Sequence, residues 1–215
     1  MILLAIVPSI AIGLVNGLYA DELARLSAAR YWTFDALQFV AIPAAGAALL
    51  YWLGGYRPAD YGFRGPGGGN DFATLALFAF VTFVYWAAYE PVKAFAFQLF
   101  WFTAADPVFT SVLPMTPGLR VLALLYVCLS AALIEEPVYR SLPWLYFSST
   151  LSAPVVPYVL STTLLFSAIH WEYGLPNLFA TASLGVAAAL LYTRIRNVWP
   201  FIGAHFLVGV WTYRW

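Results

Sequence analysis

The sequence has 215 residues, of which 63% are hydrophobic and 9% are charged, and its mean hydropathy is +0.80. A soluble domain carries about 25% charged residues, so this composition excludes an ordinary soluble protein and predicts an integral membrane protein. The ten basic and ten acidic residues give a net charge of zero without a basic patch, which argues against a nucleic-acid partner.

Seven apolar runs follow one another along the chain, and each approaches the length that a membrane-spanning helix needs, about 20 residues. We therefore expect an all-α polytopic transmembrane bundle of about seven spans, occupying residues 1–215 as a single integral membrane domain. The first run lacks the basic start of a secretion signal and is predicted to be retained. The predicted spans are residues 1–20, 34–53, 72–88, 119–138, 154–170, 176–192 and 198–213.

Two segments between these spans have a different composition. Residues 54–70 are rich in glycine and proline and have no apolar period, which predicts a loop. Residues 91–106 combine five aromatic side chains with Lys93 and Gln98, which favours an interfacial or re-entrant helix over an eighth span. The single cysteine, Cys128, lies within the fourth apolar run and is predicted to be a small buried hydrophobic residue.

Glu135, Glu136 and Arg140 lie at the end of the apolar run of the fourth span. An ionised side chain at the centre of a membrane helix costs roughly 2.5 to 3.5 kcal/mol on insertion scales. Three such side chains close together therefore require partners, water or a chemical role. The alternative is that residues 135–140 are only the polar end of a helix at the lipid headgroups. This hexapeptide is the first candidate for a functional site.

Spacing separates the roles of the two glutamates. Glu136 lies four residues before Arg140, the favoured spacing and order for an acid and a base on a helix, whereas Glu135 lies five residues before it and is rotated away. We therefore pair Glu136 with Arg140 and leave Glu135 free. Pro137 has no N–H and crowds the carbonyl of Leu133, so the helix should kink or loosen there and admit water.

The two histidines of the chain, His170 and His205, both lie at or within predicted spans. Together with a membrane glutamate, they favour a shared site over two unrelated structural histidines. A desolvated carboxylate can take a proton from water while one imidazole orients that water and the other stabilises an oxyanion, which is hydrolytic chemistry. One glutamate and two histidines also form a zinc ligand set with an open fourth position. The residues alone leave both chemistries open.

Taken in order, these motifs resemble those of the CPBP intramembrane proteases, which include the type II CAAX prenyl endopeptidases and bacterial bacteriocin-processing or self-immunity relatives. Glu135-Glu136-x-x-x-Arg140 is similar to the first motif of that family, Phe166-x-x-x-His170 to the second, and His205 to the histidine that opens the third. The motifs fall on the fourth, fifth and seventh predicted spans, within residues 119–215.

The resemblance implies a role for each of these residues. Glu135 and His170 would activate the hydrolytic water. Glu136 and Arg140 would brace the site, and His205 would help to hold the oxyanion. The resemblance also implies that the reaction needs no metal and no other cofactor.

Gly209 departs from the family pattern, which usually has Asn or another polar residue four positions after the histidine of the third motif. An expected oxyanion donor is therefore missing. Either His205 with a backbone amide or water is sufficient, or another polar side chain such as Thr212 replaces the donor, or activity is weakened. The sequence does not choose between these three outcomes.

We expect an intramembrane endopeptidase that hydrolyses a peptide bond near the membrane surface. The resemblance implies that its substrate is a peptide or protein with a prenylated C-terminal tail, a bacteriocin-like leader or a membrane-anchored sorting tail. The enzyme would bind this substrate while surrounded by membrane lipids. The small size of the chain favours the prokaryotic cytoplasmic membrane. Two rival classes are a catalytically weak or inactive relative that binds a peptide, as in immunity, and a proton or metal transporter.

Overall fold

The computed structural model describes residues 1–65, 71–100 and 112–213. Throughout these ranges the regular structure is helical, as the sequence predicts. The α-helices, in chain order, are α1 (Ile2–Leu26), α2 (Ala28–Ala36), α3 (Ile42–Trp52), α4 (Asp71–Phe100), α5 (Pro117–Glu136), α6 (Leu142–Thr150), α7 (Val155–Ala168), α8 (Gly174–Ile195) and α9 (Trp199–Tyr213).

Two π-helical turns join pairs of these helices into longer continuous segments. Leu37–Ala41 connects α2 to α3, and Pro137–Ser141 connects α5 to α6. Within the described ranges, four helical segments are long and apolar enough to cross a membrane, and the number of seven or eight spans stays a prediction. These segments are Ala28–Trp52, Asp71–Phe100, Pro117–Thr150 and Trp171–Ile195, with Ile2–Leu18 and Val155–Ala168 as shorter apolar helices.

The predicted interfacial or re-entrant helix over residues 91–106 is not a separate element in the part that the structure describes, and its location at the membrane interface stays a prediction. Helix α4 continues without a break through Pro91 to Phe100, and residues 101–106 lie outside the described ranges. Membrane helices tolerate proline because neighbouring groups and small backbone adjustments satisfy the carbonyl that loses its donor. Lys93 and Gln98 therefore lie near the end of one long helix.

The turn Pro137–Ser141 follows from the chemistry of proline. Pro137 has no N–H to donate to the carbonyl of Leu133, and its ring crowds that carbonyl. The helix widens after this point, so that the N–H of Leu142 donates to the carbonyl of Pro137 five residues earlier. The predicted loosening at Pro137 thus takes the form of a π-helical turn, which is a frequent feature of functional sites.

Helices α4, α5, α7, α8 and α9 surround the part of the molecule that carries the candidate residues. α4 packs against α8 and α9, α9 packs against α5, and α7 packs against α8. Val81, Tyr85, Tyr158 and Phe201 are completely buried between these helices. α1 packs against α2, α3 and α6. This arrangement brings the three motif-bearing helices α5, α7 and α9 into one bundle.

Candidate active site

Glu136, the last residue of α5, is completely buried and has three partners from three different segments. The hydroxyl of Tyr85 on α4 donates to Oε2 at 2.7 Å. Nδ1 of His205 on α9 lies 2.7 Å from Oε1. Nε of Arg140 lies 3.6 Å from Oε2, so the predicted pairing of Glu136 with Arg140 is present. One buried carboxylate therefore connects α4, α9 and the π-helical turn.

Arg140 is also completely buried, and its guanidinium contacts two groups besides the carboxylate of Glu136. The guanidinium lies over the ring of Phe166, 4.4 Å from its centroid, which is cation–π geometry. Nη1 donates to the carbonyl of Tyr139 at 3.2 Å. That carbonyl lies four residues before Pro143, which has no N–H to donate to it. Arg140 thus packs on the second motif and hydrogen-bonds to the backbone of its own π-helical turn.

His205 lies between the two glutamates. Its Nδ1 faces Glu136, and its Nε2 lies 3.9 Å from Oε2 of Glu135, which is too long for a direct hydrogen bond. Because a carboxylate can only accept, the bond to Glu136 requires that Nδ1 carry a proton. Oε2 of Glu135 is buried and has no hydrogen-bond partner among the residues that the structure describes.

His170 follows the last turn of α7 and is not part of a regular helix, with φ −105° and ψ 17°. Its Nδ1 lies 2.8 Å from the carbonyl of Phe166, and the two rings contact edge to face with centroids 5.0 Å apart. Since a carbonyl accepts, Nδ1 must donate, and Nε2 of the neutral ring is then the nitrogen that can accept a proton.

Glu135, His170 and His205 line one cavity of about 140 Å³, together with Gly209. The three residues predicted to do the chemistry therefore share one space, although they belong to α5, the end of α7 and α9. Glu136 is not part of the lining and lies behind His205. The cavity combines a carboxylate with two imidazoles, which are the groups needed to hold and deprotonate a water molecule.

The structure does not support Thr212 as a replacement donor at this cavity. Its hydroxyl donates to Oε1 of Glu90 on α4 at 2.5 Å, and Thr212 is not part of the lining. Gly209 does line the cavity, and a Cβ built on it would lie 3.3 Å from Sγ of Cys128. The predicted burial of Cys128 is confirmed, and its thiol occupies part of the space that a larger side chain at position 209 would need.

Several polar residues at the site were not identified from the sequence, among them Asn16, Asp35, Tyr85 and Glu172. Asn16, Asp35 and Glu172 line the same cavity, and Tyr85 contacts Glu136. Asn16 and Asp35 could have been identified from the sequence, because they lie inside predicted spans, where polar residues are usually functional. Tyr85 could not have been identified, since nothing in the sequence distinguishes it from the other tyrosines among the fourteen of the chain.

A metal site requires several ligand side chains that converge on one point. Across residues 1–65, 71–100 and 112–213, no group of three His, Cys, Asp or Glu side chains is arranged to hold a metal ion. Nδ1 of His170 and Nδ1 of His205 are engaged by a carbonyl and by Glu136, respectively. Chelation experiments remain the direct test of metal dependence.

A second and larger cavity, of about 580 Å³, lies between α1, α3 and α5 beside the π-helical turn that follows Glu136. Its lining is almost entirely hydrocarbon and includes Leu50, Leu133 and Val138. Phe39 borders both cavities. An apolar chain bound in the larger cavity would therefore lie next to the helix that carries the two glutamates.

Fold and site together define a helical integral membrane protein with a buried centre of acids, histidines and arginine. Residues 117–211 match the family described as type II CAAX prenyl endopeptidase Rce1-like. This segment carries all the predicted site residues, and the match is consistent with the resemblance to the CPBP family that the motifs indicated. The family points to a CAAX-protease-like intramembrane protease. Searches of curated proteins and of solved structures gave no match.

Proposed function

We propose that the protein is an intramembrane endopeptidase that cleaves a peptide bond with a water molecule activated by Glu135 and His170. The observation that carries this proposal is the shared cavity of about 140 Å³, which is lined by Glu135, His170 and His205. The Rce1-like match over residues 117–211 supports the same reaction class. All three residues lie within that match.

In the proposed reaction, Glu135 takes a proton from the water as the water oxygen attacks the substrate carbonyl. The support is that Oε2 of Glu135 is buried without a hydrogen-bond partner in the described part of the chain, which leaves it available as a base. His170 orients the water through Nε2, because its Nδ1 is held by the Phe166 carbonyl. The proton taken by Glu135 then passes to the leaving amine.

His205 is the proposed donor to the oxyanion that forms during this attack. Its Nδ1 is held by Glu136 at 2.7 Å, which fixes the orientation of the ring. Nε2 can donate to the oxyanion when it carries a proton, and such a donor is most effective in a cavity from which water is excluded. Glu136, Arg140 and Tyr85 brace this ring without contacting the substrate. This arrangement offers a substitute for the side chain that is absent at Gly209.

The proposed substrate is a peptide or protein with a lipid-modified or membrane-anchored segment. The large apolar cavity beside the π-helical turn supports this substrate class, because it can take up hydrocarbon near the glutamates. Filling it with Ala47→Phe should raise KM for a prenylated peptide and leave KM for the same peptide without the prenyl group unchanged. Equal effects on both peptides would contradict this use of the cavity. A single membrane domain and a location in the prokaryotic cytoplasmic membrane also remain proposals.

The central test is peptide cleavage by the purified protein in lipid vesicles. The peptides are a prenylated C-terminal tail, a leader sequence and a membrane-anchored sorting tail. We expect cleavage of at least one, and we expect Glu135→Gln and His170→Ala each to lower kcat/KM by about 10²- to 10⁴-fold, the usual contribution of a general acid or base. A chelator should leave the rate unchanged.

Glu22→Gln is the matched control, because it makes the same change at an exposed carboxylate on α1. It should cleave at the wild-type rate. Undiminished turnover by Glu135→Gln would refute the assignment of the base. Activity that is lost to a chelator and restored by Zn²⁺ would replace the proposal with a metal-dependent reaction. Binding without cleavage of all three peptides would favour a non-catalytic peptide-binding relative.

A further inference from the structure

The short turn that follows His170 is docked on α1. Trp171 Nε1 donates to the carbonyl of Leu14 at 3.0 Å. Asn16 Nδ2 donates to both carboxylate oxygens of Glu172, at 3.2 and 3.4 Å. These contacts join residues more than 150 positions apart in the sequence. α1 thus binds the two residues that come directly after His170.

Two glycines of α1 allow this close approach. A Cβ built on Gly17 would lie 2.5 Å from Oε2 and 2.8 Å from Cβ of Glu172, which is closer than packed atoms can come. A Cβ built on Gly13 would lie 3.2 Å from Cγ2 of Ile169, the residue before His170. The helix surface at positions 13–17 is therefore fitted to the chain on both sides of His170.

Among the described residues, the hydrogen bonds and the ring contact of His170 itself are local and come from the end of its own helix. Its Nδ1 and its ring both contact Phe166, and its backbone N–H donates to the carbonyl of Ser167 at 3.0 Å. The residue lies beyond α7, and the bond to Ser167 ties its backbone to the last turn of that helix without continuing the regular helical ladder. Its location at the cavity therefore depends on where the turn Trp171–Tyr173 is held.

We propose that Asn16, acting through Glu172, is a positioning residue that holds His170 at the reactive cavity. This inference rests on the proposed function for its catalytic consequence. Both Asn16 and Glu172 line the cavity beside His170. Asn16 lies outside residues 117–211, so the family match does not include it. The N-terminal helix thus contributes to the site by placing a residue of the second motif.

The test exchanges the two polar groups. Asn16→Asp sets two carboxylates against each other and should displace the turn. Asn16→Asp combined with Glu172→Gln restores an amide–carboxylate pair with the roles reversed. We expect kcat of the single variant to fall at least about tenfold, since a 1 Å misplacement can cost about 10²-fold. KM should stay within about twofold by the same reasoning. The double variant should recover most of kcat.

A second readout is independent of activity. The chain has two histidines, so protein labelled with ¹⁵N-histidine gives two sets of imidazole NMR signals. In Asn16→Asp the signals of His170 should shift or broaden while those of His205 stay in place, and the exchange variant should return the His170 signals to their wild-type positions. If no peptide is cleaved by the wild type, the proposed function fails, but the NMR comparison still tests the positioning of His170.

Gly17→Ala is a second perturbation that adds no charge, and it pushes the same turn away sterically. Its matched control is Gly118→Ala on α5, where an added Cβ meets nothing within 4 Å. Gly17→Ala should reproduce the loss of kcat and the shift of the His170 signals, and Gly118→Ala should show neither. The inference is overturned if His170 signals are unchanged in both Asn16→Asp and Gly17→Ala, or if the variants raise KM alone. It is also overturned if either variant loses stability while kcat stays at the wild-type value.

Discussion

Replacing Arg140 with methionine removes the charge that faces Glu136 while keeping an apolar side chain of similar length. At the observed Nε–Oε2 separation of 3.6 Å, the attraction at an effective dielectric constant of 20 is about 4 to 5 kcal/mol. Removing one partner of a buried ion pair usually costs about 3 to 5 kcal/mol, because the other charge is left uncompensated. The lost contact with Phe166 adds about 1 to 2 kcal/mol. We expect the free energy of unfolding to fall by at least about 3 kcal/mol.

The assay is reversible unfolding by sodium dodecyl sulfate in mixed micelles, applied to Arg140→Met, Glu136→Gln and the double variant. The double variant has no uncompensated charge, so it should be more stable than Arg140→Met alone. Arg120→Met, the same change at an exposed position on α5, is the control and should stay within about 0.5 kcal/mol of the wild type. A loss below about 1 kcal/mol for Arg140→Met, or strictly additive effects in the double variant, would refute the assigned pairing.

Two further predictions concern the surroundings of this pair. Tyr85→Phe removes the hydroxyl that donates to Glu136 at 2.7 Å, and should lower the free energy of unfolding by about 1.5 to 3 kcal/mol, the usual contribution of a hydrogen bond to a charged group; an unchanged unfolding midpoint would contradict this. Gly209→Asn should be destabilising by about 1 to 3 kcal/mol through overpacking against Cys128. Adding Cys128→Ala should restore stability and raise kcat above the wild-type value. If kcat of that double variant equals the wild-type value, the wild-type chain already has a sufficient oxyanion donor.

The parts of the site that could be predicted from sequence are those that local geometry controls. The pairing of Glu136 with Arg140 follows from a spacing of four residues, and the loosened turn follows from the missing N–H of Pro137. Both features are present in the structure. Neither depends on how distant helices pack. The same is true of the helical class of the protein, which the length of the apolar runs predicts.

Thr212 does not replace the missing donor, and its spacing from His205 along α9 was not enough to predict this. On α9, Thr212 lies seven residues after His205, so it returns to nearly the same face of the helix but about 10.5 Å further along the axis. Thr212 therefore lies on the same side of α9 as His205 but too far along the helix axis to reach the cavity, and its hydroxyl donates to Glu90 on α4. Only the packing of α4 against α9 makes that partner available. Tyr85 escaped prediction for the same reason, because its role depends on which face of α4 meets Glu136.

Two separate sets of contacts hold the histidines of the site, one that involves α4 and one that involves α1. Glu136 is a common partner of Tyr85, Arg140 and His205, so one buried carboxylate fixes α4, the π-helical turn and α9 relative to one another. His170 lies outside this network and contacts its own helix at Phe166, while the turn behind it is held by α1. The Rce1-like match includes the residues proposed to do the chemistry but neither α1 nor α4. Substitutions in those two helices should therefore disturb different partners: changes in α4 should act on His205 through Glu136, and changes in α1 should act on His170.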